Sequence, residues 1–302
     1  MTPDIAPADP HPRPPRFDVP SPAWDCHAHV FGPVGRFPYA ARREYTPPDQ
    51  PLAAYLRMLD AIGVRHGVLS QPSVYGDDNR CLLDALRAAG GRLRGIVVAD
   101  VLAMDDARLE ALTADGVRGV RINMALPGGL PVALLDDVGA RLRGSGWHLE
   151  IVLDKVGSLP ALIPALRRAA VPVVIEQMGS VRVAAGPAPA GFAELAGLLR
   201  DGAVWAKISH PYKISAAPPA YRDTVPLARE LVAAAPTRLL WGSDWPHPRV
   251  PGPMPNDGAL LDLLYDWIDG DRAIAETILC RNPAQLYGPH AGGGRTDEEG
   301  TT

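Results

Sequence analysis

The chain of 302 residues has little cysteine, no long apolar run and no excess of basic charge. Its three cysteines, Cys26, Cys81 and Cys280, are widely spaced and contain no Cys-x-x-Cys pair, which argues against a disulfide framework and a structural zinc site. We therefore expect a reducing, cytoplasmic location. The net charge of −4 provides no broad basic field for nucleic acid or an anionic membrane, so the expected partner is a small molecule.

The two ends of the chain differ in composition from its middle. Residues 1–22 hold many prolines and no apolar segment, so they match neither a signal peptide nor a membrane anchor and are expected to form a disordered arm. Residues 289–302 contain three successive glycines and an acidic end, and a disordered tail is expected there. Residues 23–288 are expected to form one domain, for which the apolar fraction of 47% is ample.

Between the two ends, short β-rich runs alternate with longer helical patterns. The runs are 24–30, 66–71, 94–99, 117–122, 147–153, 172–176, 204–208 and 238–241. Eight strands, each followed by a helix, predict the α/β class and a (β/α)8 TIM barrel in a single domain. A doubly wound open sheet is the main alternative, but the first run is followed by no Gly-rich phosphate turn.

Two polar signatures lie where the first and last apolar runs stop. His27 and His29 are two residues apart in the first strand, so the period of two places them on one face, and Asp25 is expected deeper on that face. Asp244 follows the eighth strand, which lies beside the first in a closed barrel. The sequence therefore predicts a hydrolase-like site, with structural histidines and a turn-capping aspartate as the alternatives. Cys26 alternates away from the histidines and is expected to pack in the core.

Other polar residues follow the remaining strands, where the loops of a parallel barrel meet at one mouth. Arg121 ends the fourth strand and offers bidentate binding to a substrate carboxylate, with a structural salt bridge as the equal alternative. The further candidates are Tyr45, Ser73, Asn123, Gln177, His210, Tyr212 and Lys213. Taken singly, such residues are more often part of an ordinary surface.

Several motifs together resemble the amidohydrolase superfamily, and in particular its lactonase-like TIM-barrel hydrolases. The motifs are 25–33 (DCHAHVFGP), 71–79 (QPSVYGDDN), 119–121 (GVR), 178–179 (MG), 242–247 (GSDWPH) and 281–284 (RNPA). The resemblance runs from about residue 24 to residue 287. It is specific for the family and much less specific for the substrate.

The resemblance implies a mechanism without a metal. In the similar lactonases the histidines polarise the lactone carbonyl and the aspartate activates water, so His27 and His29 would hold the carbonyl oxygen and Asp244 would be the general base. The match also implies an anionic substrate, held by residues that include Arg121, Tyr45, Ser73 and Lys213. Gln177 departs from the family pattern, because it stands where a third histidine is usual. Its amide can donate a hydrogen bond but is a poor zinc ligand.

From these features we expect a hydrolase that opens a carboxylate-bearing lactone or a related cyclic ester, with no cofactor. One alternative is a zinc-dependent amidohydrolase or decarboxylase that uses His27, His29 and Asp244 as ligands, with His210 as a further donor. A lactone isomerase and a non-catalytic anion-binding barrel are the others. Barrels of this kind often self-associate, so a homo-oligomer is a further expectation.

Overall fold

A computed structural model describes residues 3–125, 131–183 and 189–288. Eight parallel strands form one sheet in the order β1 to β8. They are β1 Trp24–Ala28, β2 His66–Ser70, β3 Leu93–Val97, β4 Val117–Asn123, β5 His148–Val152, β6 Val173–Ile175, β7 Trp205–Ser209 and β8 Leu239–Gly242. Each predicted run agrees with its strand to within two residues. The (β/α)8 barrel is confirmed, whereas the predicted tail 289–302 lies outside the described residues.

Helices cover the outside of the sheet. They are α1 Leu52–Ala61, α2 Arg80–Ala88, α3 Asp106–Ala114, α4 Leu135–Leu142, α5 Leu159–Arg168, α6 Phe192–Arg200, α7 Pro211–Ile214, α8 Val225–Ala234, α9 Asp257–Trp267, α10 Arg272–Glu276 and α11 Asn282–Tyr287. Short 3₁₀ turns occupy Ser73–Tyr75, Val132–Leu134, Val156–Ser158, Gln177–Ser180, Arg222–Thr224 and Pro236–Arg238, and a π-helical turn occupies Thr277–Arg281. None of the helices in the described ranges has the length and apolar character of a membrane span.

The amino ends of the strands are filled by an apolar plug inside the barrel. Trp24 of β1, Ile96 of β3 and Trp205 of β7 pack in this cluster, together with Tyr287 of α11. Cys26 belongs to the same cluster, and burial raises the pKa of its thiol, so it packs in the core as expected. Because this end is closed, the open part of the barrel lies at the carboxyl ends of the strands.

The barrel closes where β1 meets the segment that follows β8. The Asp244 amide donates to the His27 carbonyl at 2.8 Å, and the His29 amide donates to the Trp245 carbonyl at 2.7 Å. Gly242 makes this approach possible, because a Cβ atom there would lie 2.6 Å from Cβ of His27. This seam sets the backbone of the two predicted histidines directly beside the predicted aspartate.

A buried carboxylate holds the seam from the outside. Asp25 accepts hydrogen bonds from the Ser243 amide at 2.8 Å, the Ser243 hydroxyl at 2.6 Å and the Tyr55 hydroxyl of α1 at 3.0 Å. The expectation that Asp25 shares the inner face with His27 is wrong. The register of β1 shifts between Asp25 and Ala28, and this irregularity reverses the alternation of side chains.

The N-terminal residues lie along the barrel, in contrast to the expected disordered arm. Arg13 forms an ion pair of 2.6 Å with Asp262 of α9, and the Arg16 amide donates to the same carboxylate at 2.6 Å. Near the start, the Ile5 amide donates to the Thr46 carbonyl at 3.1 Å. The many prolines exclude a regular ladder of hydrogen bonds, but they do not prevent charged side chains from fixing the segment to a partly apolar surface.

The substitution Asp25→Ala should lower the free energy of unfolding by about 3 kcal/mol, because four buried donors, including the His27 amide at 3.2 Å, lose their acceptor. Urea unfolding followed by circular dichroism measures this change. The matched control is Asp77→Ala, which removes an exposed carboxylate and should change the unfolding free energy by less than about 0.5 kcal/mol. Equal stability of the two variants would contradict the role of Asp25 at the seam.

Candidate active site

Three imidazoles surround the carboxylate of Asp244 at the mouth of the barrel. Nε2 of His27, His29 and His210 lies 3.6, 3.2 and 2.9 Å, respectively, from Oδ1 of Asp244. On the other side of the carboxylate, Oδ2 accepts from the Tyr212 hydroxyl and from the Lys213 ammonium, the latter at 3.1 Å. The structure therefore brings together six of the predicted site residues, with five of them around the buried carboxylate of the sixth, Asp244.

The backbone at two of these positions is unusual. Asp244 has φ of 64° and His210 has φ of 58°, in the left-handed region that non-glycine residues rarely adopt. Both residues lie just beyond the carboxyl end of a strand: His210 directly follows β7, and Asp244 is the second residue after β8. Strained conformations of this kind cluster at functional sites, where they direct a side chain to one place.

The ring nitrogens that do not face Asp244 form hydrogen bonds, and these bonds restrict how the imidazoles are protonated. Nδ1 of His29 lies 2.6 Å from the Ser70 carbonyl, which can only accept, so this nitrogen carries a hydrogen. Nδ1 of His210 lies 2.6 Å from the Ser209 hydroxyl, which can donate or accept. The ring nitrogens that face Asp244 are therefore the ones left for chemistry.

Three buried atoms at this point have no hydrogen-bond partner: Nε2 of His27, Nε2 of His210 and Oδ1 of Asp244. Nε2 of His210 and Oδ1 of Asp244 contact each other at 2.9 Å, as an ion pair when the imidazole is protonated. Buried polar atoms without partners are costly and uncommon in folded proteins. Their convergence on one point is the arrangement expected where a reacting group is to bind.

Burial and neighbouring charges set the ionisation of these groups. Burial opposes the charge of Asp244, but His210 and Lys213 hold the pKa of this carboxyl well below its usual range. Burial, aided by the charge of Lys207, holds the pKa of His27 well below that of a free imidazole. Burial also lowers the pKa of His210 to about 3. At neutral pH, Asp244 is therefore ionised and both histidines are neutral.

A cavity of about 430 Å³ opens above this cluster. The residues predicted for the site that line this cavity are Tyr45, Ser73, Arg121, Asn123, Gln177, Lys213 and His29. The remaining predicted residues, His27, His210, Tyr212 and Asp244, are buried and lie outside its lining. Gln177 begins a 3₁₀ turn and faces the cavity half-buried, with φ of 56°.

Arg121 forms the structural salt bridge considered for it and also lines the cavity. Its Nε and Nη2 atoms donate to the two oxygens of Glu176 at 3.0 and 2.7 Å, and Nη1 donates to the Gln71 carbonyl at 3.0 Å. The structural salt bridge is therefore present. A guanidinium carries five N–H groups, so two remain for a ligand in the cavity that Arg121 lines.

The smaller polar candidates line the cavity in different ways. Tyr45 is buried, and burial raises the pKa of its hydroxyl, so it is a neutral group at the cavity wall. The Asn123 side chain accepts from the Ala125 amide at 2.9 Å, which holds the turn after β4. Ser73 starts the 3₁₀ turn after β2.

Three charged residues around the site, Arg182, Arg249 and Glu150, were not among the candidates. Arg182 and Arg249 also line the cavity, and Arg249 forms an ion pair of 2.9 Å with Glu44. Below the histidines, Lys207 of β7 and Glu150 of β5 form a buried ion pair of 2.6 Å. A charged residue in the middle of a buried strand is a signal for such a pair, whereas the two arginines lie in loops that carry no pattern.

A divalent ion beside Asp244 would need imidazole nitrogens with free lone pairs. One donor atom each of His27, His210 and Asp244 lies within 4.8 Å of the others, a spacing suited to a shared ion. Histidines that bind metals donate their other ring N–H to an acceptor, as His29 does to a backbone carbonyl. His27 does not follow this pattern, because its Nδ1 faces the ammonium of Lys207 at 3.3 Å. The contacts of Nδ1 of His27 therefore differ from those of a typical metal-binding histidine.

Taken together, the closed parallel barrel and the buried histidine–aspartate cluster at its mouth define a TIM-barrel hydrolase site. The chain belongs to the amidohydrolase family, whose model (Amidohydrolase) matches residues 24–288. This agrees with the resemblance found in the sequence.

Individual relatives extend over most of the chain. It is 37% identical over 290 residues to 2-pyrone-4,6-dicarboxylate hydrolase from Comamonas testosteroni, with 92% of this chain and 94% of the relative covered. It is 38% identical over 277 residues to 4-sulfomuconolactone hydrolase from Rhizobium radiobacter, with 90% and 92% covered. A solved structure of a probable 2-pyrone-4,6-dicarboxylic acid hydrolase from Acinetobacter baumannii, with citric acid bound, has a TM-score of 0.75 at 27% identity and covers 88% of this chain and 99% of that chain.

The buried state of His210 predicts a pH dependence of stability. Because its folded pKa of about 3 lies below the unfolded value, the unfolded chain binds a proton between about pH 6 and pH 4 that the folded protein does not. The free energy of unfolding therefore decreases as the pH is lowered through this window. In His210→Gln this fall should be less steep by about 1.4 kcal/mol per pH unit.

Urea unfolding at a series of pH values measures the two slopes. The control variant His11→Gln removes an exposed histidine of the N-terminal segment and should keep the slope of the unchanged protein. Identical slopes for His210→Gln and the unchanged protein would show that His210 is not held neutral in the fold.

Proposed function

We propose that this protein opens a carboxylate-bearing lactone, or a related cyclic ester, by attack of a water molecule that Asp244 deprotonates. The observation that carries the proposal is the convergence of His27, His29 and His210 on the ionised Asp244, next to a cavity that Arg121 and Lys213 line. The names of the relatives, which are hydrolases of a pyrone dicarboxylate and of a sulfomuconolactone, support the same class of substrate.

The charges of the cavity favour an anionic ligand. Four cationic side chains line it: Arg121, Arg182, Lys213 and Arg249. Its two lining carboxylates leave an excess of cations: Glu44 pairs with Arg249 of the same lining, and Asp154 accepts from the Ser158 hydroxyl at 2.6 Å. The remaining N–H groups of Arg121 supply a fork that matches a carboxylate, and the Tyr45 hydroxyl and the Ser73 side chain lie in the same wall.

Lys213 connects substrate binding to the base. Its ammonium lies 3.1 Å from Oδ2 of Asp244 and also lines the cavity. In the free protein this charge helps to hold the pKa of Asp244 low, which makes the carboxylate a weak base. An anionic substrate shares the ammonium and adds negative charge nearby, so the pKa of Asp244 rises when the substrate is bound.

The imidazoles and Gln177 stabilise the oxyanion that develops on the carbonyl oxygen. His27 can donate from Nε2 as a neutral imidazole. His29 donates from Nδ1 to the Ser70 carbonyl, which fixes its ring with Nε2 facing the reacting group, 3.2 Å from Oδ1 of Asp244. The Gln177 amide supplies a neutral donor from the cavity wall.

The ring then opens when the tetrahedral intermediate collapses. The ester C–O bond breaks, and the leaving oxygen takes up the proton that Asp244 removed from water. The product is an open-chain hydroxy acid or its keto tautomer. We place this reaction in the cytoplasm, in keeping with three buried free cysteines.

Replacing Asp244 by Asn keeps the shape of the side chain but removes the base. We expect kcat for ring opening to fall about a thousandfold, with binding of a carboxylate-bearing lactone nearly unchanged. The rate is followed in a pH-stat over a panel of anionic lactones, and the product is identified by NMR, which separates hydrolysis from isomerisation and decarboxylation. Asp77→Asn is the surface control. A near-normal rate in Asp244→Asn would exclude Asp244 as the base.

Chelation tests the proposed independence from metal. Protein purified without added metal should contain less than about 0.1 divalent ion per chain, and dialysis against EDTA should change kcat/KM by less than about twofold. Elemental analysis and the lactone assay give both values. Loss of activity that zinc restores would make His27, His29 and Asp244 ligands and would favour the metal-dependent alternative.

A further inference from the structure

The ion pair between Lys207 and Glu150 lies inside the barrel, directly below the histidines. Both side chains are fully buried, and Nζ lies 2.6 Å from Oε2. The other carboxylate oxygen lies within hydrogen-bond distance of Nε2 of His148, at 3.2 Å, and of the Tyr287 hydroxyl, at 3.3 Å. A buried ion pair adds little stability compared with apolar residues of the same volume, so its presence here calls for another role.

The Lys207 ammonium also contacts His27. Nζ lies 3.3 Å from Nδ1 of the imidazole. An ammonium has hydrogen-bond donors and no acceptor, so Nδ1 of His27 must be the acceptor in this contact. A neutral imidazole carries a single N–H, and the hydrogen of His27 is therefore on Nε2.

The other neighbours of Nδ1 do not require a hydrogen there. The Ser70 hydroxyl lies 3.3 Å away and also lies 3.5 Å from Oε2 of Glu150; it can donate its hydrogen to Nδ1 or to Glu150 and so does not require a hydrogen on Nδ1. The nearest oxygen of Glu176 lies 3.8 Å away, beyond hydrogen-bond distance, and both oxygens of Glu176 already accept from Arg121. Lys207 is therefore the neighbour that decides where the hydrogen lies.

His29 provides the contrast within the same pair. Its Nδ1 faces a carbonyl oxygen and carries a hydrogen, whereas Nδ1 of His27 faces an ammonium and carries none. The two histidines of one strand are thus held in opposite tautomers when neutral. His27 presents a donor to the reacting group, and neutral His29 presents an acceptor.

We propose that Lys207, held by Glu150, is a positioning residue that fixes the hydrogen of His27 on Nε2 and so makes His27 a hydrogen-bond donor to the oxyanion. The tethered ammonium also prevents His27 from offering Nε2 as a metal ligand. This inference deepens the proposed function, because it names the group that prepares His27. The burial of His27 and the positive charge of Lys207 keep the imidazole neutral, which preserves this arrangement.

The tautomer is observed directly by NMR. Long-range ¹H–¹⁵N correlations of protein labelled with ¹⁵N-histidine distinguish a hydrogen on Nε2 from one on Nδ1, and His27→Gln assigns the signal by its loss. We expect His27 of the unchanged protein to carry its hydrogen on Nε2 at neutral pH. A hydrogen on Nδ1 would overturn the proposal without the need for any further variant.

The informative variant is Lys207→Met/Glu150→Gln. Lys207→Met alone leaves the Glu150 carboxylate buried without its partner, whereas the glutamine of the double variant still accepts from His148 and Tyr287. We expect the Nδ1–H form of His27 to appear, kcat to fall about tenfold with KM nearly unchanged, and the affinity for Co²⁺, measured by titration calorimetry, to rise about tenfold. Retention of the Nε2–H form, or an unchanged Co²⁺ affinity, would overturn the role of Lys207.

Lys155→Met is the control, because it removes an exposed lysine and should leave the His27 signal, kcat and Co²⁺ affinity as they are. The readouts also separate this inference from the proposed function. A protein that opens no lactone, but in which the double variant shifts the His27 tautomer, would contradict the function and keep the role of Lys207. An active protein in which the double variant leaves the His27 tautomer unchanged would support the function and contradict the role of Lys207.

Discussion

The closure of the barrel between β1 and the segment after β8 is the constraint on which the site depends. Gly242 lets the two backbones approach, and the Asp244 amide then bonds to the carbonyl of His27. Asp25 fastens the same junction from the helix side through Ser243. The geometry of the candidate site is thus set by backbone contacts of the fold itself, which position side chains more accurately than a flexible loop would.

Charge balance is the second requirement, because the interior holds several carboxylates away from water. Each has its own cation or set of donors: Glu176 has Arg121, Glu150 has Lys207, and Asp244 has Lys213 together with the imidazoles. Buried ions without such partners would take up or release protons instead. The pairs differ in accessibility, since only the Lys213 and Arg121 cations reach the cavity. A substrate can therefore change the charge around Asp244 while the pair below His27 stays as it is.

The sequence was sufficient for the strands and for the meeting of the histidine pair with Asp244, because the ends of parallel strands in any closed barrel converge at one mouth. It was insufficient where a local irregularity of the backbone, or a contact with a residue distant in the chain, sets the position of a side chain or segment. The register shift that turns Asp25 outward leaves no trace in the alternation of residues. Prolines indicated an arm without regular structure, but its attachment depends on Asp262, more than two hundred residues away. Likewise, the ion pair of Lys207 with Glu150 depends on where the fold places β7 relative to β5, which the sequence alone does not give.

The contacts of the N-terminal segment connect the start of the chain to the wall of the cavity. Residues 3–5 pair with Thr46, whose amide donates to the Pro3 carbonyl at 2.8 Å, and Thr46 directly follows the cavity residue Tyr45. The part of the cavity wall that contains Tyr45 is therefore held in place by the backbone of residues 3–5, which belong to no strand or helix of the barrel. An affinity tag at the start of the chain, or removal of the first residues, therefore acts on the backbone contacts that hold this part of the cavity wall in place.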